Sequence, residues 1–243
     1  DVHLMDVEAL NRNAANQMFD VTKLSFAAYA FVSQHYRILA AGSALGHGCG
    51  PLIISKSPMS LGDLKDAVIA IPGKHTTAHL LMSMFVKEFK SKVEMLFSDI
   101  EDAVLSGKVD AGLIIHENRF TYASKGLHKV ADMGALWEEK TGNPIPLGCI
   151  AVKRSLPQEE MEVIENQIRK SIQFAFSHPE VAKPYINLHA QEMSEEVQQQ
   201  HINLYVNDFS IDLGTEGRNA ISELFSEGQK AGILPELVHP VFV

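Results

Sequence analysis

A histidine that directly follows a short apolar stretch is the residue with the clearest chemical potential in this sequence. In "DAGLIIHENRFTY", residues 111–115 are predicted to form a buried strand, and His116 follows it, ahead of a charged and aromatic loop. Imidazole titrates near neutral pH and is suited to general acid–base catalysis. The chain has 11 histidines, so the residue type alone is weak evidence for catalysis. The position at the end of a strand favours a catalytic role for His116, but a histidine with a purely structural role could occupy the same position.

The polar residues beside this histidine are candidates for orienting it or for binding a substrate. Asp110, Glu117 and Arg119 flank the predicted strand and its loop. Helix capping and ordinary surface positions explain these three residues equally well. Burial in a cleft would favour the neutral form of His116. Glu117 is a candidate for the opposite effect on the pKa, although adjacent residues of a strand point to opposite faces.

Two predicted strand-to-helix junctions offer groups that suit an anion. "IPGKHTTAHLL" places Thr76 and Thr77 at the start of a helix, and "TKLSF" places Lys23 and Ser25 at the end of a strand. Hydroxyls, free backbone N–H groups and the helix dipole together favour a carboxylate or phosphate at such a position. The alternative is structural: Thr76 and Ser25 are also good N-cap residues, and Lys23 is then a surface lysine.

A glycine-rich loop, "GSALGHGCGP", does not match a nucleotide-binding motif. It lacks the Gly-Lys-Ser/Thr ending of a P-loop, and its spacing does not match G-x-G-x-x-G. Close approach of two backbones near a hinge is the simpler interpretation. No G-x-S-x-G and no H-E-x-x-H sequence occurs, and nothing in the sequence suggests a metal site.

Composition and charge exclude several classes of protein. The chain has 243 residues, 46% of them hydrophobic, with 21 Lys and Arg against 30 Asp and Glu, which gives a net charge of −9. Without a basic cluster, neither a nucleic-acid partner nor an anionic membrane surface is expected. No apolar run approaches the roughly 20 residues of a membrane span. Cys49 and Cys149 are too far apart for a zinc spacing, and we expect both to be reduced and buried.

The order of predicted elements indicates an α/β protein with two lobes. "DVHLMD" is strand-like, two strands are predicted around the glycine-rich loop, Val68–Ile71 is a clear apolar strand, and residues 157–243 are predicted to be mostly helical. Repeated strand–helix–strand units predict parallel pairing with helices on the faces of the sheet. Extended segments at residues 52–56 and 149–153 are expected to cross between the lobes. We therefore predict a discontinuous domain I (residues 1–56 plus 151–243), a domain II (residues 57–150) and a ligand-binding cleft between them.

Several stretches, taken together and in order, resemble the 1,4-dihydroxy-6-naphthoate synthase family of the futalosine route to menaquinone. They are "DVEALN", "TKLSFAAYA", "GSALGHGCGPL", "IPGKHTTAHLL", "VDAGLIIHENRFTY", "IPLG" and "YVNDFSIDLGTEG". The resemblance runs through nearly the whole chain. It implies a type II periplasmic-binding-protein-like fold with an interlobe cleft, used by a cytoplasmic lyase.

The resemblance also implies a reaction and a set of site residues. Cyclic dehypoxanthine futalosine would be converted to 1,4-dihydroxy-6-naphthoate by general-base-initiated carbon–carbon cleavage, with release of a three-carbon sugar fragment and without a cofactor. His116 would be the base. The substrate-binding residues implied are Lys23, Leu24, Ser25, Thr76 and Thr77. The expected partner is a small-molecule carboxylate, not nucleic acid or a membrane, and a homodimer is an open alternative to a monomer.

The sequence departs from the family pattern at its beginning, and two other functions are possible for a protein of this fold. The family begins with a strand and a "SPCPNDTF"-type loop that contribute to domain I and to the cleft, and this sequence starts after that point. If those residues are absent, we expect domain I to lack a core strand. A solute-binding protein that captures a carboxylate without chemistry is one alternative function. Chorismate dehydratase, an enzyme of the same fold and pathway, is the other.

Overall fold

A computed structural model describes residues 1–190 and 194–243 of the chain. The strands are β1 Val21–Ser25, β2 Tyr36–Ile38, β3 Ala44–Gly46, β4 Leu52–Ser55, β5 Val68–Ile71, β6 Ser91–Glu94, β7 Ala111–Ile114, β8 His128–Asp132 and β9 Ile145–Lys153. The helices are α1 Val7–Ala15, α2 Phe26–Val32, α3 Thr77–Phe85, α4 Ile100–Leu105, α5 Asn118–Thr121, α6 Met133–Thr141, α7 Gln158–Ser177, α8 Pro179–His189, α9 Glu195–Tyr205, α10 Asp208–Ile211 and α11 Gly214–Lys230. Short 3₁₀ turns cover Leu61–Asp66, Phe97–Asp99 and Tyr122–Lys125.

Four strands form a first sheet around the long strand β9. β1 and β2 pair with opposite edges of β9, and β3 pairs with the beginning of β9. All three pairings are antiparallel. In the β1–β9 ladder Ser25 lies opposite Gly148, where a side chain on residue 148 would overlap the carbonyl oxygen of Leu24. A glycine at position 148 therefore lets the two strands approach closely beside the ends that carry candidate site residues.

Five strands form a second sheet in the order β6-β5-β7-β4-β8. β5 is parallel to both β6 and β7, as the strand–helix–strand pattern predicts. β4 is antiparallel to both of its neighbours. All four residues of β4 and of β7 are buried, as expected for central strands covered on both faces.

Strand pairing differs from the predicted domain ranges at two stretches. β4 precedes residue 57 but pairs within the second sheet, and β9 begins at Ile145 yet pairs within the first sheet. The chain thus passes to the second sheet between β3 and β4 and returns between β8 and β9. The two extended segments predicted to cross between the lobes are thus strands hydrogen-bonded within a sheet, because buried extended backbone must satisfy its N–H and C=O groups. Whether the two sheets are independent domains stays a prediction.

Two local predictions are also corrected. The strand predicted for "DVHLMD" is not formed: residues 1–6 have no regular secondary structure, and Asp6 instead caps α1 through its side chain. A strand needs a neighbouring strand to satisfy its backbone, and no described strand pairs with this stretch. Around the glycine-rich loop the chain forms three strands instead of the two expected, because β3 adds to the start of β9.

A continuous apolar core lies between the two sheets. The largest buried cluster includes Leu24 and Ile38 of the first sheet together with Ile53, Ile69 and Leu113 of the second. The long amphipathic helix α7 covers a smaller cluster through Met161. Within the described part of the chain, no helix combines the length and apolar character that a membrane crossing requires.

Candidate active site

A cavity of about 250 Å³ lies between the ends of the two sheets and brings together all six site residues implied by the family resemblance. Lys23, Leu24 and Ser25 line it from the first sheet. Its second-sheet side is formed by residues at the start of α3 and after β7, which are Thr76, Thr77 and His116. The structure thus shows their proximity, and their individual roles stay predictions.

His116 reaches the cavity through an unusual backbone conformation. β7 ends at Ile114, one residue earlier than predicted, and His116 has a φ of 58°, in the left-handed region. Residues other than glycine adopt this region rarely, and such strain is concentrated at functional sites. Phe97 packs edge-on against the imidazole, with ring centroids 5.0 Å apart. No described residue hydrogen-bonds to the ring nitrogens, so a ligand in the cavity can do so.

The surroundings of His116 favour its neutral form. Burial, followed by the nearby His201 and Lys23, lowers the pKa of His116 from 6.5 to about 4. Glu117, which from its place in the sequence was only a candidate for the opposite effect, is not among the causes of this shift. At pH 7 the imidazole is therefore neutral and able to accept a proton.

Lys23 and Ser25 lie two residues apart on β1, so their side chains point to the same face of the strand. The Lys23 side chain is exposed to the open cavity, and its Nζ donates to the carbonyl oxygen of Gly42 at 3.3 Å. The side chain as a whole is accessible from the cavity, but many protein atoms lie around its ammonium group. Desolvation therefore lowers the pKa of Lys23. An anion bound beside the ammonium group would compensate for that desolvation.

Ser25 precedes α2, as expected, but its side chain does not cap the helix. Its hydroxyl instead accepts from Asn11 Nδ2 at 3.2 Å, and its backbone N–H donates to Asn11 Oδ1 at 3.0 Å. Ser25 is therefore held by α1, and its hydroxyl is available to the cavity.

The two threonines at the start of α3 have different partners. Thr76 is the N-cap predicted from sequence: its Oγ1 accepts from the backbone N–H of His79 at 3.2 Å and donates to the carbonyl oxygen of Gly73 at 2.8 Å. Thr77 Oγ1 donates to the carbonyl oxygen of Leu147 at 2.7 Å and accepts from the backbone N–H of Ala27 at 3.3 Å. Both hydroxyls are thus engaged within the protein.

The backbone N–H groups at the beginning of α3 remain available for an anion. No described residue accepts from the amides of Thr77 and Ala78, which both line the cavity. These amides belong to the first turn of a nine-residue helix, where the dipole is positive. The anion-binding capacity predicted for this junction therefore lies in the backbone and not in the threonine hydroxyls.

The polar neighbours of His116 in the sequence have structural partners. Asp110 accepts from the backbone N–H of Val68 at 2.8 Å. Arg119 donates to Asp132 at 2.7 Å and to the carbonyl oxygen of Gly50 at 2.6 Å. Glu117 lies at the start of α5. The first two therefore support the fold around the site rather than the imidazole.

The glycine-rich loop provides close backbone packing at the crossing between the sheets, as the sequence indicated. A Cβ on Gly50 would overlap the backbone N and Cα of Gly134 at the start of α6. Cys49 lines the cavity and Cys149 is buried in β9. Both are free thiols, as predicted, and burial raises the pKa of each to about 12.

Helix α9 also contributes to the cavity, which was not expected from the sequence. His201 and Tyr205 line it, and their rings lie 4.6 Å apart. The His201 ring is also 6.2 Å from the His116 ring. Their spacing of four residues, which places two side chains on one helical face, was a usable signal.

The cavity has no arrangement suited to a metal ion. Among residues 1–190 and 194–243, no group of three His, Cys, Asp or Glu side chains could hold one.

Solved structures of known proteins share this architecture. A crystal structure of an Archaeoglobus fulgidus protein superposes with a TM-score of 0.91 and 38% sequence identity, covering 96% of this chain and 87% of that one. A Candida albicans protein described as having the generic periplasmic binding protein fold gives a TM-score of 0.68 at 13% identity, covering 98% of this chain and 81% of that one. The likeness to the latter shows the fold alone, which is periplasmic-binding-protein-like as expected.

Comparison of sequences identifies the family. Two curated relatives are both 1,4-dihydroxy-6-naphthoate synthases. The one from Thermus thermophilus is 45% identical over 240 residues, which is 99% of this chain and 87% of the relative. The one from Streptomyces coelicolor is 42% identical over 242 residues, 98% of this chain and 85% of the relative. A family model described as menaquinone biosynthesis matches residues 1–230. The chain therefore belongs to the menaquinone biosynthesis family, as an enzyme related to the 1,4-dihydroxy-6-naphthoate synthases.

Proposed function

We propose that this enzyme is a lyase that converts cyclic dehypoxanthine futalosine to 1,4-dihydroxy-6-naphthoate, with release of a three-carbon sugar fragment and without a cofactor. The observation that carries the proposal is the cavity between the sheets, where the His116 imidazole, which has no hydrogen-bond partner among the described residues, faces groups from both sheets that suit an anion. The two synthase relatives support this choice of reaction.

The carboxylate of the substrate is held by groups from both sides of the cavity. Lys23 supplies the positive charge, and Ser25 supplies a hydroxyl on the same face of β1. The amides of Thr77 and Ala78 supply donors and the positive end of a helix dipole from the second sheet. An anion held from both sides draws the sheets together and excludes water from the reacting atoms.

His116 starts the reaction by removing a proton beside a carbonyl of the substrate, and the electron pair left behind forms a new carbon–carbon double bond as the bond to the three-carbon fragment breaks. The fragment leaves with the electrons of the broken bond and takes up the proton held by His116. With a pKa of about 4, the imidazole is neutral at pH 7 but a weak base. A carboxylate bound beside Lys23 offsets a positive charge that contributes to this low pKa. The bound carboxylate therefore reduces the Lys23 contribution to the low pKa of His116, which is smaller than the contribution of burial.

The decisive experiment mixes the enzyme with cyclic dehypoxanthine futalosine and follows the formation of 1,4-dihydroxy-6-naphthoate by chromatography. Chorismate is supplied in a parallel reaction. Formation of the naphthoate supports the proposal. Turnover of chorismate alone would identify a chorismate dehydratase, and tight binding of the cyclic compound without product would identify a solute-binding protein. Either of these two results contradicts the proposed function.

A further inference from the structure

A buried asparagine outside the cavity is hydrogen-bonded to a serine that lines it. Asn11, on α1, is only 3% exposed and does not line the cavity. Its amide nitrogen donates to Ser25 Oγ at 3.2 Å and to Glu8 Oε2 at 3.3 Å. Its amide oxygen accepts from the backbone N–H of Ser25 at 3.0 Å. Every hydrogen of this amide thus has a partner.

The chemistry of these partners allows only one orientation of the Asn11 side chain. A backbone N–H can only donate, so the amide oxygen must face the N–H of Ser25. The NH₂ group then faces Glu8, whose carboxylate oxygen accepts from it. The amide cannot be flipped without breaking both bonds. It follows that Ser25 Oγ accepts from Asn11, which leaves the hydroxyl hydrogen of Ser25 for another acceptor.

Glu8 lies on α1 with Asn11, and its carboxylate is held in turn by the loop that precedes α3. That carboxylate is 5% exposed. It accepts from His75 Nδ1 at 2.7 Å and from the backbone N–H of His75 at 3.2 Å, just before Thr76 and α3. A side chain on residue 73 would overlap Glu8, and Gly73 has a φ of 154°. The loop before α3 therefore packs directly on the carboxylate that orients Asn11.

We propose that Asn11 is a positioning residue, which turns the hydroxyl hydrogen of Ser25 into the cavity so that it donates to the anionic group of the substrate. No described residue accepts from Ser25 Oγ, and Ser25 is 4% exposed while lining the cavity. The hydrogen can therefore reach a bound oxygen only inside the cavity. This assignment rests on the proposed function, because it takes the ligand to be the substrate carboxylate.

A double-mutant cycle between Asn11→Ala and Ser25→Ala tests the proposal. KM and kcat are measured with cyclic dehypoxanthine futalosine, and the Kd of 1,4-dihydroxy-6-naphthoate is measured by calorimetry. Ser25→Ala should weaken binding by roughly 10- to 100-fold, as expected for a lost hydrogen bond to a charged group. Asn11→Ala should weaken binding about 10-fold, mainly through KM, when Ser25 is present. In the Ser25→Ala background it should cause no further loss.

A merely structural role of Asn11 gives a different pattern. Loss of packing would lower binding by the same factor in both backgrounds, and that additive result overturns the proposal. Asn13→Ala on the same helix is the matched control. Among the described residues, the side-chain amide of Asn13 hydrogen-bonds only to the exposed Met5 sulfur, so the KM of this variant should stay unchanged. If Asn11→Ala does not fold, Asn11→Ser completes the same cycle.

The test separates this proposal from the proposed function. If the unmodified enzyme forms no naphthoate from the cyclic substrate, the proposed function fails and the positioning role fails with it. If the unmodified enzyme turns over normally and the two substitutions are additive, only the positioning role is overturned.

Discussion

The hydroxyl of Thr77 donates to the carbonyl oxygen of Leu147 at 2.7 Å and accepts from the backbone N–H of Ala27 at 3.3 Å. One buried side chain at the start of α3 thereby joins the second sheet to β9 and α2 of the first. The bonds lie beside the cavity, because Thr77 and Leu147 both line it. Thr77 thus stabilises the arrangement of the sheets that assembles the site.

Replacing Thr77 by Val should destabilise the protein by about 1–3 kcal/mol. Valine keeps the shape but removes the hydroxyl that pairs with the partly buried carbonyl of Leu147 and with the buried N–H of Ala27. Thr77→Ser keeps the hydroxyl and should lose much less. Urea denaturation of both variants provides the measurement. Equal stability of Thr77→Val and the unmodified enzyme would show that this hydroxyl does not hold the sheets together.

Removing the hydroxyl of Ser25 should weaken product binding while leaving the fold intact. Ser25→Ala loses one hydrogen bond to the carboxylate, which is worth about 1–3 kcal/mol. Calorimetric titration with 1,4-dihydroxy-6-naphthoate measures the change. Ser222→Ala is a suitable control, since Ser222 lies on the exposed face of α11 and its hydroxyl donates to the carbonyl oxygen of Arg218 within the same helix. Unchanged affinity in Ser25→Ala would place the carboxylate elsewhere.

The sequence predicted the parts of the site that depend on local structure. β5 forms over the four residues expected, and Thr76 caps α3, because apolar runs and capping residues act over a few neighbours. It could not show that Asn11 binds Ser25, since 14 residues separate them and only the packing of α1 on β1 brings them together. The contribution of His201 likewise depends on where a distant helix packs.

The direction of the His116 pKa shift was predictable, but its causes were not. Burial at a strand end suggested a neutral imidazole, and burial is indeed the largest cause. Glu117 was a candidate for raising the pKa of His116 because it follows His116 directly in the sequence. The charges that contribute come from Lys23 and His201, at distant positions in the chain. The charges that shift the pKa of His116 therefore come from residues that are its neighbours in space and not in sequence.

Adding a methyl group at Gly50 should disturb the crossing between the sheets. The new Cβ would overlap backbone atoms of Gly134, which cannot move as a flexible side chain would. We expect Gly50→Ala to lower stability by about 1–3 kcal/mol. Gly62→Ala is the matched control, because its Cβ would meet only Ser60 Oγ at 3.7 Å. Thermal melts that are equal for the two variants would contradict the close packing of Gly50 on Gly134.

Stability should fall as the pH decreases from about 6.5 to about 4. In that window the unfolded chain protonates His116 while the folded protein, with a pKa of about 4, does not. The unfolded state then binds more protons, and the free energy of unfolding falls by at most about 3 kcal/mol, less where cavity water solvates the imidazolium.

Urea midpoints at pH 7 and pH 4.5 should differ less in His116→Asn than in the unmodified enzyme. His128→Asn, at an exposed position, should leave the difference unchanged. An identical pH dependence in His116→Asn would refute the burial of this imidazole.

The central claim is that His116 removes the proton that starts carbon–carbon cleavage, and His116→Asn tests it most directly. Asparagine keeps a polar group of similar reach but cannot take a proton at neutral pH. Turnover of cyclic dehypoxanthine futalosine is measured at saturation, with the Kd of 1,4-dihydroxy-6-naphthoate and the melting temperature measured in parallel. We predict a roughly 10²- to 10⁴-fold lower kcat with binding and folding largely retained. A near-normal kcat in folded His116→Asn enzyme would remove His116 from the mechanism.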